Sequence, residues 1–141
     1  MQHTHNLHNC LSYLVIKNKA GLVSFTYPYL TKQILVHVKL LLSFNFINGY
    51  RVDKCKTYPS NYTITVYFKY GLYGKSYLDE IRFFSRPGCY RFLTLKKIKQ
   101  LVRLKTFRGS FFVVSTSFGV LTALECLQKR CSGLLLYYVS I

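Results

Sequence analysis

Two stripes of apolar residues at helical spacing dominate the first third of the chain. Gly21 follows the first stripe as a helix terminator, so the spacing predicts a helix over about residues 6–19, with an apolar face of Leu7, Leu11, Leu14 and Val15. Thr31 can cap a second helix through its hydroxyl, and the apolar face of that helix contains Ile34, Leu35, Val38, Leu41 and Leu42. A short strand is predicted between the helices over residues 21–28, and Asn48 with Gly49 predicts a turn after the second helix.

The strictest alternation of apolar and polar residues runs from residue 61 to 70. One face of this predicted strand carries Tyr62, Ile64, Val66, Phe68 and Tyr70. The segment GLYG at 71–74 has two glycines and precedes a new strand-like run, YLDEIRFFS at 77–85. We therefore predict two lobes, residues 1–70 and 71–141.

The second half combines short strands with short helices. RPGC at 86–89 has Pro and Gly at the centre of a predicted type II turn. A helix after residue 94 places Leu95, Ile98, Leu101 and Val102 on one face and Lys96, Lys97, Lys99, Arg103 and Lys105 around the other. That basic face fits either contact with RNA or simple solvation.

The segment FFVVSTSFGV at 111–120 begins as a buried strand. Thr122 and Glu125 form the T-x-x-E pattern of a capping box, which predicts a helix that runs to about residue 130 and that Gly133 ends. The hydroxyl residues 115–117 then lie in a strand-to-helix connection, and LLLYYVSI at 134–141 is a terminal strand. These elements predict an α+β fold: a helix–strand–helix–strand–strand lobe followed by a mostly β lobe with short helices.

The charge balance indicates a polyanionic partner. The 141 residues include 20 Lys and Arg against 4 Asp and Glu, a formal net charge of +16, while half of the residues are hydrophobic. Such an excess favours nucleic acid or an anionic membrane surface. The longest stretches without charge, 109–124 among them, are shorter than the roughly 18 residues of a membrane span. The first residues also lack the features of a signal or transit peptide, so we expect neither a span nor an import presequence.

Catalytic and metal-binding patterns are absent from the sequence. The carboxylates Asp53, Asp79, Glu80 and Glu125 form no convincing acid/base pair, and all four histidines lie within the first 37 residues. The five cysteines, Cys10, Cys55, Cys89, Cys126 and Cys131, contain no C-x-x-C pair, and we expect them to be core residues in a reducing compartment. We predict no enzyme activity, no cofactor, no metal and no small-molecule substrate.

The hydroxyl cluster of Ser115, Thr116 and Ser117 offers a different kind of chemistry. Short hydroxyl side chains and nearby backbone N–H groups suit phosphates and ribose hydroxyls, and they can enter the shallow minor groove of A-form RNA. The alternative is that these residues only shape a turn.

Three segments resemble a known family in order and spacing. FSRPGCYRF, VVSTSFGVLT and SGLLLYYVSI are similar to the C-terminal half of the S-eight family of small-subunit ribosomal proteins. The family patterns Ser-Arg-Pro-Gly and Ser-Thr-Ser-x-Gly-hydrophobic-hydrophobic-Thr are matched by residues 85–88 and 115–122. The first lobe fits more loosely, through its helices and through Tyr27-Pro28-Tyr29 and Phe46-Ile47. The resemblance covers nearly the whole chain.

The resemblance implies an RNA-binding second lobe that contacts a distorted helix in the central domain of small-subunit ribosomal RNA. Ser115, Thr116 and Ser117 would contact ribose, base and phosphate, with Gly119 as the backbone pivot. Phe92, or Tyr90 with a small shift, would stack on RNA, although either aromatic fits a core position equally well. The complete implied site is Ser85, Arg86, Pro87, Gly88, Tyr90, Phe92, Ser115, Thr116, Ser117, Gly119 and Thr122.

Three departures from the family pattern affect these expectations. Leu134 stands where the family has an acidic residue. Tyr13 and Val15 occupy basic positions of the first helix, although Lys17 and Lys19 follow them. The link over 93–110 is longer and more basic than in bacterial relatives, which indicates an extended contact with RNA or a neighbouring protein.

The resemblance implies a structural constituent of the small ribosomal subunit that orders RNA during assembly and supports translation. Neighbouring small-subunit proteins, the fifth among them, are the expected protein partners. The excess of Phe, Tyr, Leu, Lys, Ile and Asn favours a mitochondrial ribosome, with the bacterial cytoplasm or a plastid as alternatives. The competing functions are a basic peripheral membrane protein on anionic lipid and a repressor that binds its own messenger.

Overall fold

The chain folds into two compact units, residues 1–78 and 79–141. The computed structural model describes residues 2–57, 61–86, 88–105 and 110–140. Residues 71–78, which the sequence assigned to the second lobe, belong to the first unit. They include a 3₁₀ turn at Leu72–Gly74, in which Tyr73 has φ 66°.

The first unit has the predicted helix–strand–helix–strand–strand order. Its elements are α1 (Gln2–Lys19), β1 (Ser24–Tyr27), α2 (Lys32–Ser43), β2 (Ile47–Lys54) and β3 (Tyr62–Phe68). The strands form an antiparallel sheet in the order β1-β3-β2. The prediction of an α+β fold is confirmed in this unit.

The two helices of the first unit bury most of the apolar residues that the spacing predicts, whereas Val15, Leu35 and Leu42 of the predicted faces are half-buried. Helix α1 buries Leu7, Cys10, Leu11 and Leu14, α2 buries Ile34, His37, Val38 and Leu41, and β3 buries Ile64, Val66 and Phe68. Thr31 caps α2 as predicted, because its hydroxyl accepts a hydrogen bond from the Ile34 amide at 3.3 Å.

The predicted turn at Asn48 and Gly49 is wrong. Both residues lie within β2, where the register shifts between Ile47 and Gly49. The Asn48 side-chain amide donates to the Phe68 carbonyl at 3.0 Å, so this side chain bonds to the neighbouring strand. The chain turns earlier, at Asn45 with φ 59°.

The second unit is built around its last strand. Its elements are β4 (Glu80–Phe83), β5 (Arg91–Leu93), α3 (Leu95–Lys105), β6 (Phe111–Thr116), β7 (Gly119–Thr122), α4 (Ala123–Gln128) and β8 (Gly133–Ser140). The antiparallel sheet has the order β4-β8-β6-β7, and β5 also pairs with β8. The predicted terminal strand therefore forms, and it pairs with three others.

Helices α3 and α4 pack together, and the core of the second unit includes residues of both. The buried cluster contains Ile98, Phe112, Val114, Ala123, Cys126, Cys131 and Leu135. Ile98 of α3 is fully buried, Leu101 and Val102 pack against the cluster, and Leu95 is 38% exposed. Among the described side chains of α3, the basic residues Lys96, Lys97, Lys99 and Arg103 are exposed.

The cysteines divide into buried and accessible groups. Cys10, Cys126 and Cys131 are buried, Cys55 is half-buried, Cys89 is exposed, and all five are free thiols. Burial raises the pKa of Cys10 to about 12, and burial together with a hydrogen bond to Cys131 raises the pKa of Cys126 to about 12. The prediction that all five are core residues is therefore wrong for Cys55 and Cys89.

Candidate nucleic-acid interface

The three hydroxyl residues lie at the end of a β-hairpin. Ser115 and Thr116 complete β6, Ser117 and Phe118 form the turn, and Gly119 begins β7. The prediction of a strand-to-helix connection is wrong, because residues 119–122 pair with residues 116–113 before α4 begins at Ala123. Gly119 has φ +105°, a conformation that favours glycine.

The Thr116 hydroxyl holds this turn together. It donates to the Gly119 carbonyl at 2.9 Å and accepts from the Phe118 amide at 3.2 Å. Within the described part of the chain, the hydroxyls of Ser115 and Ser117 make no hydrogen bond, and Ser117 is exposed. Thr116 thus fills the turn-shaping role, while the hydroxyls of the two serines make no hydrogen bond within the described part of the chain.

The strand register brings Phe92 into the same row as Ser115. Phe92 of β5 lies opposite Leu134 of β8, Leu134 lies opposite Ser115 of β6, and Ser115 lies opposite Val120 of β7. Because side chains alternate along each strand, these four residues share one face of the sheet. The next row, Arg91, Leu135, Val114 and Leu121, belongs to the opposite face, from which Val114 and Leu135 enter the core.

Both candidate stacking residues are exposed. Phe92 is 74% exposed and Tyr90 is 48% exposed, so neither is the core aromatic of the alternative interpretation. Phe92 lines the same groove as the hydroxyl residues, and Tyr90 does not line it. Of the two, Phe92 is therefore the better placed to stack on a ligand bound at residues 115–117.

A groove of about 620 Å³ joins these residues. It is lined by Phe92, Leu93, Thr94, Ser115, Thr116, Ser117, Ser132, Gly133 and Leu134. The described lining carries hydroxyl and apolar groups and no charged side chain. Leu134, which the resemblance aligns with an acidic residue of the family pattern, lies between Phe92 and Ser115, so the middle of the row is apolar.

Gly133 allows β8 to approach β6 at the groove. A Cβ atom at this position would lie 2.2 Å from the Ser115 carbonyl oxygen, far inside van der Waals contact. The prediction that Gly133 ends the preceding helix is wrong, because α4 ends at Gln128 and Arg130, with φ 51°, makes the left-handed turn that follows. Gly133 instead opens β8.

The turn at residues 85–89 has the predicted closure. The Arg86 amide donates to the Cys89 carbonyl at 2.9 Å, the Cys89 amide donates back to the Arg86 carbonyl at 2.8 Å, and Gly88 has φ +83°. Pro87 lies outside the described residues. Arg86, Gly88 and Cys89 are exposed.

Ser85 and Thr122 use their hydroxyls inside the protein. The Ser85 hydroxyl donates to the Leu135 carbonyl and accepts from the Arg91 amide at 3.1 Å, which ties the turn to β8 and β5. Thr122 is buried and forms the predicted capping box: its amide donates to Glu125 Oε2 at 2.8 Å, and its hydroxyl accepts from the Glu125 amide at 3.4 Å. Both hydroxyls therefore bond to groups of the protein itself, at the turn before β5 and at the start of α4.

The structure thus brings only part of the predicted site together. Phe92, Ser115, Thr116 and Ser117 line the groove, whereas Ser85, Arg86, Gly88, Tyr90, Gly119 and Thr122 do not. Sequence reasoning missed Leu93, Thr94, Ser132 and Gly133, which also line it. No local pattern identifies them, because they meet the hydroxyl residues only through the pairing of β5 and β6 with β8.

Two features are absent from residues 2–57, 61–86, 88–105 and 110–140. No cluster of three or more His, Cys, Asp or Glu side chains there could hold a metal ion. No helix there has both the length and the apolar character needed to cross a membrane.

Comparison with known proteins identifies similarity along most of the chain. The family model described as ribosomal protein S8 matches residues 6–140. The small ribosomal subunit protein uS8 of Blochmanniella pennsylvanica (strain BPEN) is 34% identical over 110 residues, which cover 77% of this chain and 76% of that protein.

Proposed function

Because this chain belongs to the ribosomal protein S8 family and is a protein of the small ribosomal subunit, we propose that its second unit binds the central domain of small-subunit ribosomal RNA. In this role the protein orders the RNA during assembly and has no catalytic step of its own. The observation that carries the proposal is the groove in which Phe92 and the hydroxyl residues 115–117 meet.

The chemistry of the groove suits the sugar edge of folded RNA. The minor groove of A-form RNA is wide and shallow and displays 2′-hydroxyls, which both donate and accept hydrogen bonds. Ser115 and Ser117 present side chains that can do the same, on a hairpin whose turn is closed by hydrogen bonds of Thr116. Phe92 adds an exposed ring at the end of the row, where an unpaired base could stack.

Attraction to the phosphate backbone comes from cations outside the groove. Arg86 and Arg91 are exposed near the turn that precedes β5, and Lys96, Lys97 and Lys99 are exposed on α3. These charges supply affinity without sequence information, while the uncharged groove supplies the fit to a particular RNA shape. We propose that this division of roles explains why a strongly basic chain keeps charge out of the groove.

The remaining assignments are proposals of narrower scope. We propose that the protein belongs to a mitochondrial ribosome, because its sequence has an excess of Phe, Tyr, Leu, Lys, Ile and Asn. The similar protein reported above comes from a bacterium, so a bacterial ribosome is the competing location. We also propose the fifth small-subunit protein as a neighbour. Crosslinking within purified ribosomes from the source organism tests both assignments.

Removing the three hydroxyls at residues 115–117 tests the proposed RNA site. For the triple variant Ser115→Ala, Thr116→Ala, Ser117→Ala we expect affinity for a transcript of the central domain to fall about 10- to 100-fold, because Ser115 and Ser117 would each lose a hydrogen bond that contributes about 1 kcal/mol and the Thr116 hydroxyl would no longer hold the turn. The slope of log affinity against log salt should stay the same, since no charge is removed. Filter binding over a salt series measures both quantities.

A matched control removes three hydroxyls from the sheet of the first unit. Ser24, Thr26 and Thr65 lie on β1 and β3, on the face opposite the buried Ile64 and Val66. Their alanine variant should bind the transcript as the original protein does. Equal binding by both triple variants would contradict the proposed site, and flotation of the protein with anionic vesicles in place of RNA binding would favour the membrane alternative.

The reactivity of the cysteines gives an independent test of where RNA lies. We expect N-ethylmaleimide to modify exposed Cys89 first, Cys55 more slowly, and Cys10 and Cys126 only after unfolding, because burial raises the pKa values of those two thiols. Bound RNA should slow the modification of Cys89 at least several-fold and leave Cys55 as the internal reference. Mass spectrometry of timed samples measures the rates, and unchanged labelling of Cys89 would place the RNA away from this turn.

A further inference from the structure

A second exposed phenylalanine, Phe118, adjoins the hydroxyl residues, and the proposed function does not use it. Phe118 is the second turn residue of the β6–β7 hairpin and follows Ser117 directly. Its side chain is 66% exposed, although full burial of a phenylalanine would stabilise the fold by about 1.5–3 kcal/mol. A large ring at a hairpin tip with no place in the core is available to a ligand.

The backbone that carries this ring is fixed before any ligand arrives. The Phe118 amide donates to the Thr116 hydroxyl at 3.2 Å, and the same hydroxyl donates to the Gly119 carbonyl at 2.9 Å. The pair Thr116 and Gly119 closes the hairpin through strand pairing. A ring on such a turn loses little backbone freedom on binding, which lowers the entropic cost of a contact.

A cation accompanies the ring. The Lys129 ammonium lies 5.9 Å from the centroid of the Phe118 ring, near the limit of a cation–π contact, and Lys129 and Arg130 are both exposed. The acidic residue nearest in sequence, Glu125, is held in the capping box by Thr122. Ring and ammonium together match a nucleotide, which offers a planar base and a phosphate a few ångströms apart.

We propose that Phe118 and Lys129 form a second binding position, in which an unpaired nucleobase stacks on the Phe118 ring while Lys129 contacts the adjacent phosphate. This inference rests on the proposed function, because it extends the RNA surface from the groove to the hairpin tip. An unpaired base fits better than a paired one, since only an unpaired base presents its face to a side chain. The continuity of Phe118 with Ser117 favours RNA over an acidic protein segment.

Three substitutions of Phe118 separate stacking from other roles. For Phe118→Ala we expect affinity for the central-domain transcript to fall about 10- to 100-fold, with the salt slope unchanged, because stacking on an aromatic ring involves no counterion release. Phe118→Trp and Phe118→Tyr should bind as tightly as the original protein. A matched control, Leu124→Ala, removes another exposed apolar side chain of the same unit (55% exposed) and should not change binding.

Lys129→Gln tests the phosphate contact. The salt slope should decrease by about one, because one fewer cation contacts the backbone. A perfectly paired RNA duplex serves as the second probe: Phe118→Ala should bind it as the original protein does, because a continuous duplex offers no unpaired base.

The outcomes distinguish this inference from the proposed function. If the triple alanine variant at 115–117 loses affinity while Phe118→Ala binds the transcript normally, the RNA site stands and the stacking position is wrong. If Phe118→Ala loses affinity equally for the transcript and the paired duplex, the ring does not contact an unpaired base and the inference is also wrong. Normal RNA binding by Phe118→Ala combined with poor incorporation into the small subunit would assign the ring to a protein neighbour and would likewise overturn it.

Discussion

Replacing Gly133 with alanine is expected to destabilise the second unit by about 3 kcal/mol and to open the candidate RNA site. A Cβ atom at position 133 would lie 2.2 Å from the Ser115 carbonyl oxygen and 3.0 Å from the Thr116 Cγ2 methyl. Overpacking of this kind costs about 1–3 kcal/mol when side chains can move aside, and occasionally more. Here the nearest atom belongs to the backbone of β6, so we expect a cost at the upper end.

The position of Gly133 explains why the damage would reach the site. Its strand, β8, pairs with β4, β5 and β6, and the next residue, Leu134, lies between Phe92 and Ser115. Moving β8 away from β6 at this end would separate Phe92 from the hydroxyl residues. The variant should therefore lose RNA affinity as well as stability.

Urea unfolding monitored by circular dichroism, together with RNA binding under native conditions, measures both effects. Gly49→Ala is a suitable control, because Gly49 also lies in a strand, has no positive φ, and leaves the space within 4 Å of an added Cβ atom open. It should be neutral or slightly stabilising. A Gly133→Ala variant as stable as Gly49→Ala would show that β6 and β8 are farther apart at this position than the 2.2 Å contact requires.

Features set by nearby residues could be predicted from the sequence. The capping box of Thr122 and Glu125, the Thr31 cap and the positive φ of Gly88 each depend on positions a few residues apart, and each forms as predicted. The alternation that predicted β3 is equally local, because one buried face requires apolar residues at every second position. These features could be predicted because the residues that determine each of them lie close together in the sequence.

Features set by strand pairing could not be predicted. The strand β5 has only three residues, and β7 has four beginning at Gly119, so neither carries a long enough pattern to be recognised. Both strands form through pairing, β5 with β8 and β7 with β6. The role of Gly133 also depends on strand pairing. Its local sequence predicts the end of a helix, whereas in the structure it allows β8 to approach Ser115 closely.

The candidate site divides in the same way. The hydroxyl cluster was identified from its residue types, and Phe92 from the resemblance, yet the row that joins them follows from the register of β5, β8 and β6. That register also separates the hydroxyls that line the groove from those that bond within the protein. Ser85 and Thr122 match the family pattern and bond inside the protein, whereas Ser132 and Thr94 match no pattern and line the groove.

Mild acid is expected to destabilise the first unit through protonation of His37. His37 is buried on α2, and burial lowers its pKa from 6.5 to about 4. Between these two pH values the imidazole is largely protonated in the unfolded chain and largely neutral in the folded chain. The free energy of unfolding is therefore highest above about pH 6.5 and decreases as the pH falls toward 4. The expected decrease in the free energy of unfolding, relative to neutral pH, is about 2 kcal/mol at pH 5 and about 3 kcal/mol at pH 4.

Hydrogen exchange in α2, followed from pH 7 to pH 4 after correction for intrinsic exchange rates, measures this loss in the first unit itself. His37→Leu replaces the imidazole with an apolar side chain of similar volume that cannot bind a proton, and it should remove most of the slope between pH 6.5 and 4, whatever its stability at pH 7. His8→Leu, at a half-buried position of α1, is the matched control and should keep the slope. A slope that survives in His37→Leu would mean that another group binds the proton, because only a titrating side chain can make stability depend on pH in this range.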